Sequence, residues 1–122
     1  MAKKIIIIDD SSTVRQQVRI ALQQAGFEVV EAVDGEEGLS SIQTMPDVAM
    51  AICDLNMPRM SGLEMLETLA KSDRKLPILM LTTEGQPHLV AHAKKFGAKG
   101  WIVKPFKADL LVAAVMKLTA TG

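Results

Sequence analysis

Five polar residues stand where apolar runs of the chain stop. Asp9 and Asp10 follow the run Lys4 to Ile8, Asp54 follows Val48 to Cys53, Thr82 follows Pro77 to Leu81, and Lys104 follows Trp101 to Val103. Short apolar runs that break into acids, amides and prolines read as buried strands delivering their last side chain to one edge. A carboxylate there is costly to desolvate unless something uses it. Three clustered carboxylates repel one another and need a cation. Mg2+ is the natural candidate, being a hard ion that takes oxygen ligands and commonly keeps positions for phosphate oxygens. With the metal and the Lys104 ammonium neutralising a phosphoryl group, Asp54 is the nucleophile that receives it, and the Thr82 hydroxyl offers a hydrogen bond to a phosphoryl oxygen. A structural cluster in which Lys104 only pairs with one acid explains any one of these residues, but not all five at once.

The elements that must position them follow from periodicity. Ile5 to Ile8 is a β-branched run, as in a strand covered on both faces. Ser11, Ser12 and Thr13 can cap a helix carrying Val14, Val18, Ala21, Leu22 and Ala25, closed by Gly26. Phe27 to Ala32 reads as a second strand. Asp34, with Glu37 three residues on, caps a helix from Gly35 to Gln43, and Pro46-Asp47 turns the chain into the strand Val48 to Cys53. Ser61 and Glu64 form a capping box before a helix carrying Leu63, Leu66, Leu69 and Ala70. Pro77 to Leu81 is a fourth strand. Pro87 opens a helix that Gly97 closes, Trp101 to Val103 is a short fifth strand, and Ala108 to Leu118 is a last amphipathic helix. Strands alternating with helices imply crossover units and a doubly wound parallel α/β sheet, which binds ligands beyond the carboxyl ends of its strands at the switch in strand order.

Composition narrows the function classes. The 122 residues suit one domain, and Lys+Arg balances Asp+Glu at 14 each, which gives no electrostatic reason to expect nucleic acid or an anionic membrane as partner. No apolar run approaches the ~20 residues of a membrane span, and the run after Lys3-Lys4 meets Asp9 too soon for a signal peptide. A single cysteine, Cys53, forbids an internal disulfide and suits a cytoplasmic location.

In this order and at these spacings the motifs resemble one family, the receiver domains of bacterial two-component response regulators. They are Asp9-Asp10, Asp54-Leu55-Asn56-Met57-Pro58, Met60-Ser61-Gly62, Thr82, and Lys104-Pro105-Phe106. The resemblance covers essentially the whole chain. It implies a (βα)5 flavodoxin-like fold with strand order 2-1-3-4-5, an order that comes with the resemblance and not from the periodicity. It further implies that Asp54 is the phosphoacceptor. Asp10 and Asp54 would ligate Mg2+, with Asp9 acting through a water and Asn56 through its backbone carbonyl. Lys104 would contact the phosphoryl group and precede a cis bond to Pro105. Thr82 and Trp101 would be a switch pair, with tryptophan larger than the aromatic often found there, and Asn56 and Glu84 would tune hydrolysis of the aspartyl phosphate. The implied phosphodonor is a histidine kinase. The output would be a protein contact through the fourth helix, fifth strand and fifth helix. Thr82-Thr83-Glu84 and the run Gly100 to Phe106 look most like the single-domain chemotaxis regulators, whose implied partner is a flagellar switch protein.

On this reading residues 1–122 are a single receiver domain without an output domain, since the chain stops at Gly122 just after the last helix, and the protein is a monomeric signalling module, not an enzyme with external turnover. A phosphorelay shuttle, a phosphate sink and a partner-binding module acting without phosphorylation are the alternatives within the family. An aspartate-based phosphatase lacks an insertion for a substrate cap, and a flavin module would want glycines and hydroxyls after Ile8 in place of acids. The remaining residues carry plainer expectations. Cys53 is a buried thiol, and Met57 and Met60, flanking the Pro58 turn, are gap-fillers or else exposed residues for a partner. His88 and His92 have the spacing of a metal pair without an evident third ligand and read as surface histidines. Lys94, Lys95 and Lys99 are a solvated helix end or a docking patch, and Glu36, Glu37, Glu64 and Glu67 are exposed helix charges.

Overall fold

Ten elements alternate along residues 2–120, the part of the chain that the computed structural model describes. They are β1 (Lys4–Ile8), α1 (Ser12–Gln24), β2 (Glu28–Ala32), α2 (Gly35–Thr44), β3 (Val48–Cys53), α3 (Gly62–Ala70), β4 (Ile78–Thr82), α4 (Pro87–Lys95), β5 (Ala98–Val103) and α5 (Ala108–Thr119). The five strands form one parallel sheet in the order β2-β1-β3-β4-β5, the flavodoxin-like arrangement expected. Gly122, on which the expectation of no output domain leans, lies outside the described residues.

Alternation along each strand splits the core into two layers. Ile6, Ile8, Ala51, Cys53 and Met80 face α2, α3 and α4 through Ile42, Met65, Leu66 and Ala93. Ile5, Ile7, Met50, Ile52, Leu79 and Leu81 face α1 and α5 through Val18, Leu22, Leu111 and Val115. Burial on both sides is why β1, β3 and β4 are almost wholly apolar: a strand of a parallel sheet has no solvent face for polar residues to occupy.

The helix boundaries follow local chemistry. The Ser11 side chain accepts the Val14 N–H at the start of α1, and Gly26, at φ +93, ends the turn beyond it. Asp34 caps α2, Pro87 opens α4, and Gly97 closes it at φ +107. At α3 both bonds of the Ser61–Glu64 capping box are made.

Several expected bounds shift. β5 starts at Ala98, not Trp101: Ala98 pairs with Ile78, while the polar Lys99 and the bare Gly100 that follow it carry no strand signal, and Gly100 packs close to a Leu79 methyl. β4 runs from Ile78 to Thr82, with Pro77 outside it but still accepting the Ala51 N–H. β2 starts one residue later than expected, at Glu28. α3 buries Met65, Leu66 and Leu69 and leaves Ala70 exposed, so its inner face is rotated toward Met65.

Candidate functional site

The strand order reverses between β1 and β3, and the register there decides the site. Ile8 pairs with Cys53, so the next residues, Asp9 and Asp54, leave the sheet side by side, and the Asp54 N–H donates to the Ile8 carbonyl at 2.9 Å. Asp9, Asp54 and the exposed Asp10 each offer a carboxylate oxygen, all within 4.8 Å of one another. No other group of three or more metal-ligating side chains occurs among the described residues.

Lys104 reaches this cluster from the end of β5, its backbone N–H fixed on the Thr82 carbonyl at 2.8 Å. Its Nζ donates to Asp9 Oδ2 at 2.8 Å and lies 3.4 Å from Asp54 Oδ2. Asp54 Oδ1 is taken by the Leu55 N–H at 2.7 Å, which leaves Oδ2 as the oxygen turned toward the ammonium. Asp9 Oδ1 accepts the Ser11 N–H at 2.9 Å, and Arg15 Nη1 holds the Asp9 carbonyl at 2.6 Å. Burial raises the Asp9 carboxyl above the ordinary carboxylate value even though Lys104 and the Ser11 N–H pull it down. Burial alone would lower Lys104, but its bond to Asp9 and the charges of Asp9 and Asp54 outweigh that and hold the ammonium above its usual value. The cluster thus carries more negative charge than Lys104 offsets. An all-oxygen, carboxylate-rich donor set with surplus negative charge fits a hard divalent cation.

The remaining expected residues flank this centre. Thr82 is fully buried at the end of β4, and its hydroxyl accepts the Glu84 N–H at 3.4 Å. Thr82 pairs with Val103 and Met80 with Trp101, so the Thr82 and Trp101 side chains share one face of the sheet, two residues apart. Trp101 is half-buried against the core on that face, and its indole N–H donates to the Glu84 carbonyl at 2.8 Å. Asn56 Nδ2 donates to Glu84 Oε1 at 3.2 Å, joining the two loops on which they stand. The Lys104–Pro105 peptide is cis. Beside Lys104 a cavity of about 560 Å³ opens between Val14 and Gln17 of α1 and Pro105 and Phe106.

Other candidates lie elsewhere. Cys53 is buried, its S–H directed at the Asp54 carbonyl at 3.1 Å, and burial pushes the thiol far up. Met57 and Met60 are half-buried against the core, as expected of gap-fillers. Lys94, Lys95 and Lys99 are exposed. His92 Nε2 is 2.9 Å from Glu67 Oε2, bridging α4 to α3, and its ring lies tilted against that of Phe96 with centroids 5.0 Å apart. Glu67 is therefore more than an exposed helix charge. Two residues escaped the sequence reading. Arg15 spans Asp9 and Glu31, and Arg59, in the β3–α3 loop at φ +66, grips the buried Asp34. Glu31 is 16 residues from Arg15, Asp34 is 25 from Arg59, and the nearer Arg15 contact is to the Asp9 backbone, so no side-chain spacing announces them.

Fold, register and acid cluster are those expected of a two-component receiver module, and the comparisons agree. The chain belongs to the response regulator receiver domain family, whose model matches residues 5–116. It is 38% identical over 111 residues to the chemotaxis protein CheY1 of Helicobacter pylori, covering 88% of this chain and 90% of that one. The solved chemotaxis response regulator CheY4 of Vibrio cholerae superposes with a TM-score of 0.89 at 38% identity, covering 97% of this chain and 99% of that one. A CheY of Borrelia burgdorferi, solved in a CheX–CheY–BeF3–Mg2+ complex, matches with a TM-score of 0.87 at 28% identity, covering 93% of this chain and 87% of that one. Among the described residues no helix is long and apolar enough to cross a membrane.

Proposed function

We propose that this receiver accepts a phosphoryl group from a histidine kinase on Asp54 Oδ2, in the presence of Mg2+, and thereby changes which protein it binds. The carrying observation is the Asp9–Asp54–Lys104 arrangement at the sheet's switch point, with one Asp54 oxygen tied to Leu55 and the other facing an ammonium. The kinase's N–P bond breaks as the O–P bond to Oδ2 forms, and the electron pair of the broken bond returns to the imidazole. Lys104, drawn from Asp9, neutralises charge on the transferring group. Asp10, Asp54 and the Asn56 carbonyl would hold Mg2+, with Asp9 behind a water, and the ion supplies charge neutralisation at the phosphoryl oxygens. The Borrelia complex, with Mg2+ and BeF3, supports the metal for this chain too. The cavity between α1 and Pro105–Phe106 gives the donor histidine an approach to Lys104.

Thr82 and Trp101 then act as the switch. The Thr82 hydroxyl turns to the phosphoryl oxygen, and the half-buried indole moves with it. Glu84 and Asn56, bonded across the mouth of the site, set the path of an attacking water. The receiver fold is the unit of action, monomeric, and its output is a protein contact on α4, β5 and α5, where Val103, Leu110 and Met116 are exposed apolar residues. Likeness to chemotaxis regulators favours a flagellar switch protein as target and a chemotaxis kinase as donor.

Intact mass and Trp101 fluorescence test this together. With Mg2+ and acetyl phosphate, wild type should gain one phosphoryl group and a saturable fluorescence change, and Asp54→Ala neither. An adduct without a fluorescence change refutes the switch assignment. No adduct from acetyl phosphate or from a phosphorylated kinase refutes the phosphoacceptor reading.

A further inference from the structure

We propose that Arg59 is a positioning residue for the cation site: clamped on the buried Asp34, it holds the β3–α3 loop in the shape that presents the Asn56 carbonyl to the ion. This rests on the cation reading above and goes beyond it.

The loop between Asp54 and α3 is pinned on both sides of Asn56. Upstream, the Leu55 N–H is fixed on Asp54 Oδ1, and the Leu55 carbonyl accepts the Gly62 N–H at 2.8 Å. Downstream, the Met60 carbonyl accepts the Gly35 N–H at 3.1 Å, and Gly35 is bare because a Cβ would overlap that same carbonyl. Between these points Arg59 adopts a left-handed backbone that only glycine takes without cost, so something must hold it there. What holds it is Asp34. The Asp34 carboxylate is 1% exposed; its Oδ1 takes the Glu37 N–H at 2.9 Å, and its Oδ2 takes Arg59 Nε at 2.7 Å together with Nη2. A planar guanidinium donating twice to one carboxylate fixes direction as well as distance. The Arg59 side chain itself is 61% exposed, so it fills no core space. Its contribution is to the shape of the loop.

The sign of the effect separates this role from simple electrostatics. Removing a cation from a loop beside three carboxylates strengthens binding of another cation by Coulomb's law. Losing the loop's preset shape weakens it, and losses of supporting contacts around a metal site run to about tenfold or more. Arg59→Asn and Arg59→Gly both accept the left-handed backbone and both remove the clamp.

The experiment is calorimetric titration of Mg2+ into wild type and both variants, with the rate of Asp54 phosphorylation by acetyl phosphate followed against Mg2+ concentration. The expected result is a Mg2+ Kd about tenfold higher in both variants, the Mg2+ needed for half-maximal rate rising by the same factor and the plateau rate staying within twofold. An unchanged or tighter Kd in either variant, or a fallen plateau at unchanged half-saturation, overturns the clamp. If wild type itself takes up no Mg2+, the cation reading fails with it, an outcome the variants do not share with a failed clamp.

Discussion

Asp34 holds two positions at once: it caps α2 through the Glu37 N–H and anchors the β3–α3 loop through Arg59. Those contacts, the Glu37 N–H first and the Arg59 bonds after it, hold its carboxyl below the ordinary value despite burial. The native state therefore keeps Asp34 ionised at a pH where the unfolded chain has begun to protonate it. A depressed carboxyl contributes stability above its unfolded value, near 3.9, and that contribution fades as pH falls through the native value. Asp34→Asn retains a capping side chain but loses the charge-assisted bonds, with an expected cost of about 1.5–3 kcal/mol at neutral pH. Denaturant titrations of both proteins should show that gap constant between pH 7 and about 5 and narrowing below about 4. A gap that persists undiminished at pH 3 refutes an ionised Asp34 as its source. Cys53 shows the converse case, a side chain with reactive chemistry whose burial between β1 and β4 raises the thiol and disfavours the thiolate.

At the scale of elements, α3 shows how closely local signals and the site are joined. Its capping box is the strongest helix-start signal in the sequence, and both of its bonds are made. The next residue, Gly62, lies against the Asp54 carbonyl with no space for a Cβ. Ser61→Ala should cost about 1 kcal/mol in thermal or denaturant unfolding and leave the phosphorylation rate alone. Gly62→Ala should destabilise as well, and because the Asp54 backbone must yield, slow phosphorylation by acetyl phosphate. Equal rates in the two variants would show that the Gly62 contact does not reach the site. The same contrast explains what was legible in the sequence. Runs such as Ile5 to Ile8 and Val48 to Cys53 declared their strands because a buried parallel strand admits nothing polar, and Asp9, Asp54, Thr82 and Lys104 were conspicuous for ending them. The start of β5 was hidden because Lys99 and Gly100 answer to edge position and to packing on Leu79. In α3 the expected Leu63, Leu66 and Leu69 do pack on the core, and only Ala70 is exposed, the inner face being completed by Met65 instead. Arg59–Asp34 and His92–Glu67 each join residues 25 apart, a separation that only the folded arrangement of the loops and helices closes.

Over the whole molecule, the sheet topology concentrates unbalanced charge at one edge. The β1–β3 register places Asp9 beside Asp54, Asp10 follows at the surface, and one ammonium is shared between two of the acids. Folding brings Asp54 up to the chain neighbours Asp9 and Asp10, so that added repulsion is a cost of the native state, and a cation that binds the native cluster relieves it. Such an ion stabilises by mass action: at a concentration ten times its Kd the gain is about 1.4 kcal/mol, or about 4–6 °C in Tm for a domain of this size. Asp10 is exposed and makes no packing contribution that its amide would lose, so Asp10→Asn separates the two effects. In a chelator the variant should melt above wild type, because one of three like charges is gone. With Mg2+ wild type should rise by several degrees and the variant by much less, so that the order of the two closes or reverses. Thermal melts in chelator and across a Mg2+ series decide it. Equal Mg2+-dependent rises in both proteins would place the ion away from Asp10, and a variant that melts lower in chelator would mean that the acidic edge is stabilised by contacts, not strained by charge.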